Sequence, residues 1–334
     1  MNLITGANGL IGSYLCRYLL QQGEKIRAIK RKNSDLSLVE DIKNAIDWVD
    51  ADITDILSLE DAMHGVEKIY HAAGFISYAK NQRNNLLRIN AEATANVVNV
   101  AMDKGIKKIL YVSSIAAIGK NVNNNIVTEE NKWEGNKNIS DYSLSKFLGE
   151  KEVWRGIAEG LNAVIINPSI VVGAGNWNQG PCKLFTTVNN GFKFYTEGTT
   201  GYVDVRDVVK IAYQLMNSSI TSERFILNSE NIIFRDYFFM IADAIDKKRP
   251  GIKANKFLSS LAWRAEAVKY FLTGKEPSVT KQTAKIANST YYYDNSKIMK
   301  ALNYQFTPIE YTIQESAKYF KLYLQTGKFG HLDF

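Results

Sequence analysis

Cysteine and histidine are scarce: two thiols, Cys16 and Cys182, and three imidazoles, His64, His71 and His331, in 334 residues. The thiols show no CxxC spacing and the histidines no ligand spacing, which excludes a disulfide framework and a structural zinc site. Both thiols are expected to be reduced and partly buried. No apolar run is long enough to span a bilayer. The apolar start is broken by Thr5, Gly6, Asn8 and Gly9 and lacks the basic lead-in of a signal peptide, so a soluble, cytoplasmic protein is expected. Lysine and arginine exceed the acids by 41 to 34, yet no five or six of them run together, and no recognition motif accompanies them. Nucleic acid is therefore not an expected partner, and a small ligand with several phosphates explains the excess equally well. What is present is enough apolar residue, 46%, for a sizeable core, in a length that suits one large domain with a smaller appendage.

Short apolar runs alternate with longer amphipathic stretches. Strands are expected at 2–5, 25–30, 46–49, 68–71, 108–112 and 163–167, the last stopping at Pro168. Helices are expected at 10–22, 56–63, 83–104 and 140–159, the first with Ile11, Leu15, Tyr18 and Leu19 on one face. This rhythm predicts an α/β chain, a Rossmann-type doubly wound parallel sheet covered on both faces. It changes after Val172: residues 173–201 are rich in Gly, Asn and Thr, a helix at 204–216 and a strand at 224–227 follow, and the remainder is mostly helical and aromatic-rich.

The clearest motif is Thr5-Gly6-Ala7-Asn8-Gly9-Leu10-Ile11-Gly12, between the first strand and the first helix. Gly6 permits a tight turn, Gly9 lets a pyrophosphate approach the backbone, and Gly12 lets helix and strand pack closely. The helix start offers free N–H groups and a positive dipole end to phosphates. The spacing is GxxGxxG rather than GxGxxG, and its place in a βαβ series points to a dinucleotide. The expected organisation is a dinucleotide-binding domain over residues 1–172, with 202–228 returning to it, and a smaller, mainly helical substrate-binding domain from 173–201 and 229–334.

NAD sites usually end the second strand on an acid that binds the ribose hydroxyls. Here the strand ends Ile29-Lys30-Arg31-Lys32. A cation there suits a 2′-phosphate. NADP(H) is therefore favoured, with Arg31 the first contact and Lys32 the second. NAD(H) is the alternative, since Asp35 lies near enough to swing in. Asp52, after the third strand, has two readings: acceptor for an adenine amino group, or cap of the helix beginning near Asp55.

The second motif is Tyr142-Ser143-Leu144-Ser145-Lys146. Four residues apart, Tyr142 and Lys146 share a helix face. A neighbouring ammonium favours phenolate and brings a tyrosine toward working pH for proton transfer. The pair follows Ser113-Ser114 at the carboxyl end of the fifth strand, where open α/β sheets build their sites.

Together with Asp52-Ile53, His71-Ala72-Ala73-Gly74, Asn90, Asn167-Pro168-Ser169 and the stretch Tyr202–Val208, these motifs make the whole chain resemble an extended short-chain dehydrogenase/reductase. The resemblance implies that Tyr142 is the general acid in reduction or the base in oxidation. Lys146 would hold the nicotinamide ribose and tune Tyr142, and Ser114 would bond the reacting oxygen. By the same resemblance, Asn8, Leu10, Ile11, Asp52, Ile53, Ala72, Ala73 and Gly74 would line the cofactor, and Pro168 and Ser169 its nicotinamide end. Asn90 would shape the site and its proton path, or serve as an ordinary polar helix residue. A homodimer through helices including that of Tyr142 is implied too.

Members acting on nucleotide sugars show an Arg-Asp pair before the residue matching Tyr202 and an N-x-Y-G after the sixth strand. This chain has neither, and reads Pro168-Ser169-Ile170-Val171-Val172-Gly173 instead. That resembles the branch with dihydroflavonol reductases and 3β-hydroxysteroid dehydrogenases. The expectation is a ketone reductase or secondary-alcohol dehydrogenase for a moderately apolar small molecule. The alternatives are a sugar or nucleotide-sugar epimerase or dehydratase, and a non-catalytic NADP(H)-binding redox sensor. Trp177, Phe185, Phe194 and Tyr195 suit an apolar pocket or an ordinary core. Residues 257–272 carry Leu258, Leu261, Ala262, Ala265, Val268 and Phe271 near helical spacing, with Lys256, Arg264, Lys269 and Lys275 nearby. A stripe facing the core is expected there, and a membrane-surface helix is the alternative.

Overall fold

A computed structural model describes residues 1–120, 124–133, 139–273 and 279–334. In chain order the first elements are β1 (Asn2–Thr5), α1 (Leu10–Gln21), β2 (Ile26–Lys30), β3 (Asp47–Asp50), α2 (Ile56–Ala62), β4 (Lys68–His71), α3 (Arg83–Leu87), α4 (Ala93–Asp103) and β5 (Lys108–Val112). Then come β6 (Ile126–Val127), α5 (Asp141–Ala158), β7 (Ala163–Pro168), β8 (Ile170–Val172), α6 (Lys183–Asn189), β9 (Phe194–Tyr195), β10 (Thr199–Asp204), α7 (Val205–Met216) and β11 (Glu223–Leu227). Last are β12 (Glu230–Ile233), α8 (Phe234–Ala244), β13 (Ile252–Lys253), α9 (Lys256–Thr273), α10 (Lys281–Ala287), β14 (Tyr292–Tyr293), α11 (Ser296–Leu302) and α12 (Ile309–Thr326).

Seven parallel strands form the main sheet in the order β11-β7-β5-β4-β1-β2-β3. From β1 the chain winds outward to β3, then returns to the other side of β1 as β4. The order reverses there, which opens a crevice at the carboxyl ends of β1 and β4. Strand residues alternate between two apolar cores. Leu3, Ile69, Ile109 and Tyr111 meet Val97 of α4 and Val153 of α5 on one face. Ile4, Tyr70, Leu110 and Val112 meet Leu15 and Leu19 of α1 and Val208 and Ile211 of α7 on the other. Burial on both faces is what a parallel sheet covered by crossover helices requires.

One expected helix is broken. Over residues 83–104, α3 and α4 are separated by a π-turn at Arg88–Glu92 that contains Asn90. Such turns insert one extra residue into a helix and often mark functional sites.

Strands β8 and β10 run parallel, with β12 antiparallel on the far side of β10. The stretch Tyr202–Val208 clasps the last part of the chain onto them. Asp204 caps α7 through the Arg206 amide, pairs with the Arg206 guanidinium at 2.6 Å and accepts from Thr312 at 2.7 Å. Asp207 accepts from the Tyr304 hydroxyl and from the amide and hydroxyl of Thr307. Burial raises the Asp207 pKa, and these bonds oppose the shift.

The aromatic expectations divide. Trp177 and Phe185 are buried against Phe320 of α12, with centroids 5.1–5.7 Å apart, so they are core. Phe194 is 38% exposed and pairs across β9 and β13 with Ile252. The expected core stripe of α9 is contradicted in part: Leu258 is half-buried, but Leu261, Ala262 and Ala265 are exposed, while Ser259 is buried and accepts from Asn288 just beyond α10. The side chains of Lys256, Val268, Lys269 and Phe271, and all of Lys275, lie outside what is described. Both thiols are free and buried, and burial pushes each up to about 12. Among the described residues, no helix is long and apolar enough to cross a membrane.

Candidate active site

The glycine turn sits at the crevice. Gly6 has φ +70°, and a Cβ there would lie 2.7 Å from the Ala73 backbone of the segment after β4. A Cβ on Gly12 would run into the Gly6 carbonyl, so the chain itself demands both glycines. Gly9 differs: a Cβ there would meet only the Gly6 carbonyl oxygen at an ordinary 3.4 Å. Nothing among the described residues requires Gly9 to lack a side chain, whereas a ligand lying on the turn would. Gly9 is also the cap residue of α1 and supplies no side-chain bond. Among the described residues, the amides of Leu10, Ile11 and Gly12 have no hydrogen-bond partner and stand at the positive end of a helix dipole. Asn8 braces the turn, donating to the Asp35 carbonyl at 3.1 Å.

Arg31 and Lys32 follow β2, are exposed, and line a recess of about 430 Å³ with Asn33 and Ser34. Lys30 is held by Asp50, whereas neither Arg31 nor Lys32 forms an ion pair among the described residues. The Asp35 carboxylate is engaged by the Ser37 amide. Asp52 accepts from the amide and hydroxyl of Thr54 at 2.9 and 2.8 Å, closing a turn before α2 rather than capping its first turn directly. Burial works against ionisation of Asp52, but those bonds and the charges of Arg31 and Arg88 hold it below the usual carboxylate range. Ile53 is half-buried, and its carbonyl accepts from Asn96.

A directed hydrogen-bond chain crosses from the turn to the other half of the site. The Ala73 amide donates to Thr5 Oγ1, which contacts His71 Nδ1 at 2.7 Å. His71 Nε2 lies 3.1 Å from Thr94 Oγ1, which donates to the Asn90 carbonyl. Each hydroxyl has one proton, so Thr5 donates to Nδ1 and the ring carries its proton on Nε2. Burial, with the Lys146 charge adding to it, pushes His71 down to about 3 and keeps it neutral.

Asn90 is fully buried. Its side chain takes the Phe75 amide at 2.7 Å, donates to the Phe75 carbonyl at 2.8 Å and donates to Ser145 of α5 at 2.9 Å. The sequence leaves Asn90 open as a site residue or an ordinary polar helix residue. The structure makes it a clamp between the segment after β4 and α5, on side-chain bonds that an ordinary exposed helix residue would not make. A Cβ on Gly74 would lie 3.5 Å from Asn90 Oδ1 and 3.9 Å from Lys146 Nζ, so exposed Gly74 leaves the approach to Lys146 clear.

Tyr142 and Lys146 stand on the buried face of α5, whose start is capped by Ser140. Burial raises the Tyr142 hydroxyl, and a hydrogen bond with Ser114 opposes the shift. Lys146 Nζ donates to the Tyr111 hydroxyl at 3.0 Å and to the Val112 carbonyl at 2.9 Å. Burial pulls it down to about 7, against the opposing charge of Glu150. The expected lowering of Tyr142 by Lys146 does not appear in this arrangement, because the ammonium is tethered to β5. Ser114 thus stands beside Tyr142, and Lys146 has one N–H left for a ligand. Pro168 ends β7, and the buried hydroxyl of Ser169 has no partner among the described residues, an orphan donor at the end expected to face a nicotinamide. Open Gly9, unpaired amides, clear Gly74 and orphaned Ser169 together fit an extended dinucleotide.

Two further residues stand close to this end. The Tyr78 ring stands edge-on to Tyr142 at 5.7 Å. Glu150, one turn beyond Lys146, binds Ser113 and Asn167. The continuation of the four-residue spacing from Tyr142 through Lys146 to Glu150 was the available signal for the second.

The description "NAD dependent epimerase/dehydratase family" matches residues 2–227. A Synechocystis protein bearing the name of a dihydroflavonol 4-reductase is 29% identical over 95% of this chain and 94% of its own length. Cinnamoyl-CoA reductase 1 of Petunia hybrida is 28% identical over 94% of this chain and 90% of its own. The crystal structure of gox2253 superposes with a TM-score of 0.83 at 27% identity, covering 97% of this chain and 98% of that one. The chain belongs to the NAD dependent epimerase/dehydratase family and is an NAD(P)-dependent oxidoreductase of the extended short-chain dehydrogenase/reductase type.

Proposed function

We propose that this protein is an NADP(H)-dependent ketone reductase, or secondary-alcohol dehydrogenase in the reverse sense, for a moderately apolar small molecule. The observation that carries this reading is the convergence of Ser114, Tyr142 and Lys146 beside a clear Gly74, across the crevice from an open glycine turn. Two reductase-named relatives that span nearly the whole chain support reduction as the direction. Arg31 and Lys32, which form no ion pair among the described residues and line one recess, support the 2′-phosphate form of the cofactor.

When bound, the dinucleotide supplies or accepts the hydride. The residues do the rest. Ser114 holds the substrate oxygen, Tyr142 gives that oxygen its proton in reduction and removes it in oxidation, and Lys146 orients the cofactor ribose with its free N–H. The raised Tyr142 hydroxyl is a proton donor at neutral pH, as reduction requires. The outer face of α5 serves a homodimer in this reading, which light scattering checks.

The test is a titration with NADPH and NADH, then a screen of ketones and secondary alcohols. NADPH should bind at least tenfold more tightly. Tyr142→Phe should lose about 10²–10⁴-fold in turnover while binding NADPH as before. Full turnover in that variant ends the assignment, and tightly co-purifying NAD would favour an epimerase.

A further inference from the structure

Glu150 is 2% exposed, yet its carboxylate accepts four hydrogen bonds. Ser113 Oγ and Asn167 Nδ2 reach Oε2 at 2.7 and 2.8 Å, and Arg224 and Trp154 reach Oε1 at 2.9 and 3.3 Å. Those donors stand just past β5, on β7, on β11 and on α5. A buried carboxylate is costly unless paired and bonded in this way. Two of the ties lead back to the site. Asn167 Nδ2 also donates to the Ser114 carbonyl at 3.0 Å, and Ser113 is Ser114's neighbour. Arg224 continues outward to the carbonyls of Glu129 and Asn131, and the Glu129 carboxylate accepts from the Ile226 amide of β11.

We propose that Glu150 and Arg224 are positioning residues: their ion pair, with Glu150 buried and Arg224 half-buried, locks β5, β7 and β11 to α5, fixing the Ser114 backbone and the helical turn that carries Lys146. The inference rests on reading Ser114, Tyr142 and Lys146 as the proton-transfer set. Glu150 is enclosed by its donors and Arg224 turns toward the Glu129 and Asn131 carbonyls, so both act through other residues.

The pair also acts through charge. The titratable groups facing Lys146 are Glu150 and Tyr142 on α5, Tyr111 on β5 and His71 on β4. Burial keeps both tyrosines and the imidazole neutral, which leaves Glu150 as the anion among them. Removing its charge lowers the pH at which Lys146 loses its proton. Removing Arg224 frees more of that negative charge for Lys146 and raises it. A purely structural pair has no reason to give opposite signs.

The experiment measures NADPH affinity of the full chain against pH by fluorescence, with melting temperature alongside, for the unmodified protein, Glu150→Gln, Arg224→Gln and Tyr142→Phe. In the unmodified protein, affinity should weaken as pH rises through about 7, where Lys146 titrates. Glu150→Gln should move that midpoint down by about one pH unit, about tenfold weaker NADPH binding at pH values above it. Arg224→Gln should move it up. If both variants melt earlier but keep the original midpoint, the pair is structural only and the proposal falls. If Glu150→Gln does not fold, Arg224→Gln decides alone: an upward midpoint supports the proposal and an unmoved one overturns it. Should Tyr142→Phe keep full turnover in the ketone screen while the midpoints shift as described, the proton-transfer reading fails, and what stands of the proposal is the pair's hold on Lys146 in cofactor binding.

Discussion

At the glycine turn, the groups that would meet a ligand are backbone: three amides without a partner among the described residues, and a residue that has no side chain to withdraw. At the α5 end they are side chains, and each is held by others, Lys146 by β5, Asn90 by Phe75 and Ser145, Ser114 through Asn167 and Glu150. A backbone site depends on where the Cα atoms run, so it tolerates changes in its surroundings but not an added Cβ. A side-chain site depends on single polar atoms, so isosteric changes that leave the fold intact can still silence it.

The widest separation between the two should come from the glycines. Gly9→Ala and Gly12→Ala should each abolish NADPH binding, but for different reasons. Gly12→Ala drives a Cβ into the Gly6 carbonyl and should cost about 3 kcal/mol of stability. Gly9→Ala should melt as the unmodified protein does, because its Cβ meets ordinary contact distance. Equal loss of stability in calorimetry would erase the distinction between a glycine kept for the fold and one kept for a ligand.

A smaller effect is expected at the rim of the turn. Arg31→Ala should weaken NADPH about 10–100-fold, the value of one or two charge-assisted bonds, and leave NADH unchanged. A parallel loss for both cofactors would show that Arg31 acts on the turn rather than on a 2′-phosphate.

The last test is of the buried chain that joins the two ends, and its effect is spread over several pH units. His71 titrates at about 3 in the folded protein and near 6.5 when unfolded. Between those values the unfolded chain holds more protons, so stability falls as pH falls, by about 1.4 kcal/mol per pH unit. His71→Gln, which keeps a donor and an acceptor, should flatten this slope in melts from pH 6.5 to 4. An unchanged slope would place the acid sensitivity elsewhere.

The glycine turn was legible because tight turns and close packing restrict residue type at consecutive positions. Tyr142 and Lys146 were legible because a helix face repeats every four residues. Arg224 was not: it lies 74 residues from Glu150, and nothing local marks it as a partner. Nor was the core role of Trp177 and Phe185, since an aromatic in an irregular stretch reads the same whether Phe320 or a ligand covers it. The Tyr202–Val208 motif was legible as a family mark, but its work as a clasp emerged only with Tyr304, Thr307 and Thr312 in place. The break at Arg88–Glu92 was hidden because the residues on either side keep a helical apolar period of their own.

That break has a geometric consequence. One residue added to a helix turns everything beyond it by about 100°. The π-turn is a phase shifter: α4 can keep Val97 against the sheet while Asn90 points across to Phe75 and Ser145. A single deletion within Arg88–Glu92 would restore an unbroken helix and rotate one of these two faces out of register. Helix and clamp occupy one rod only because the rod is a residue out of step with itself.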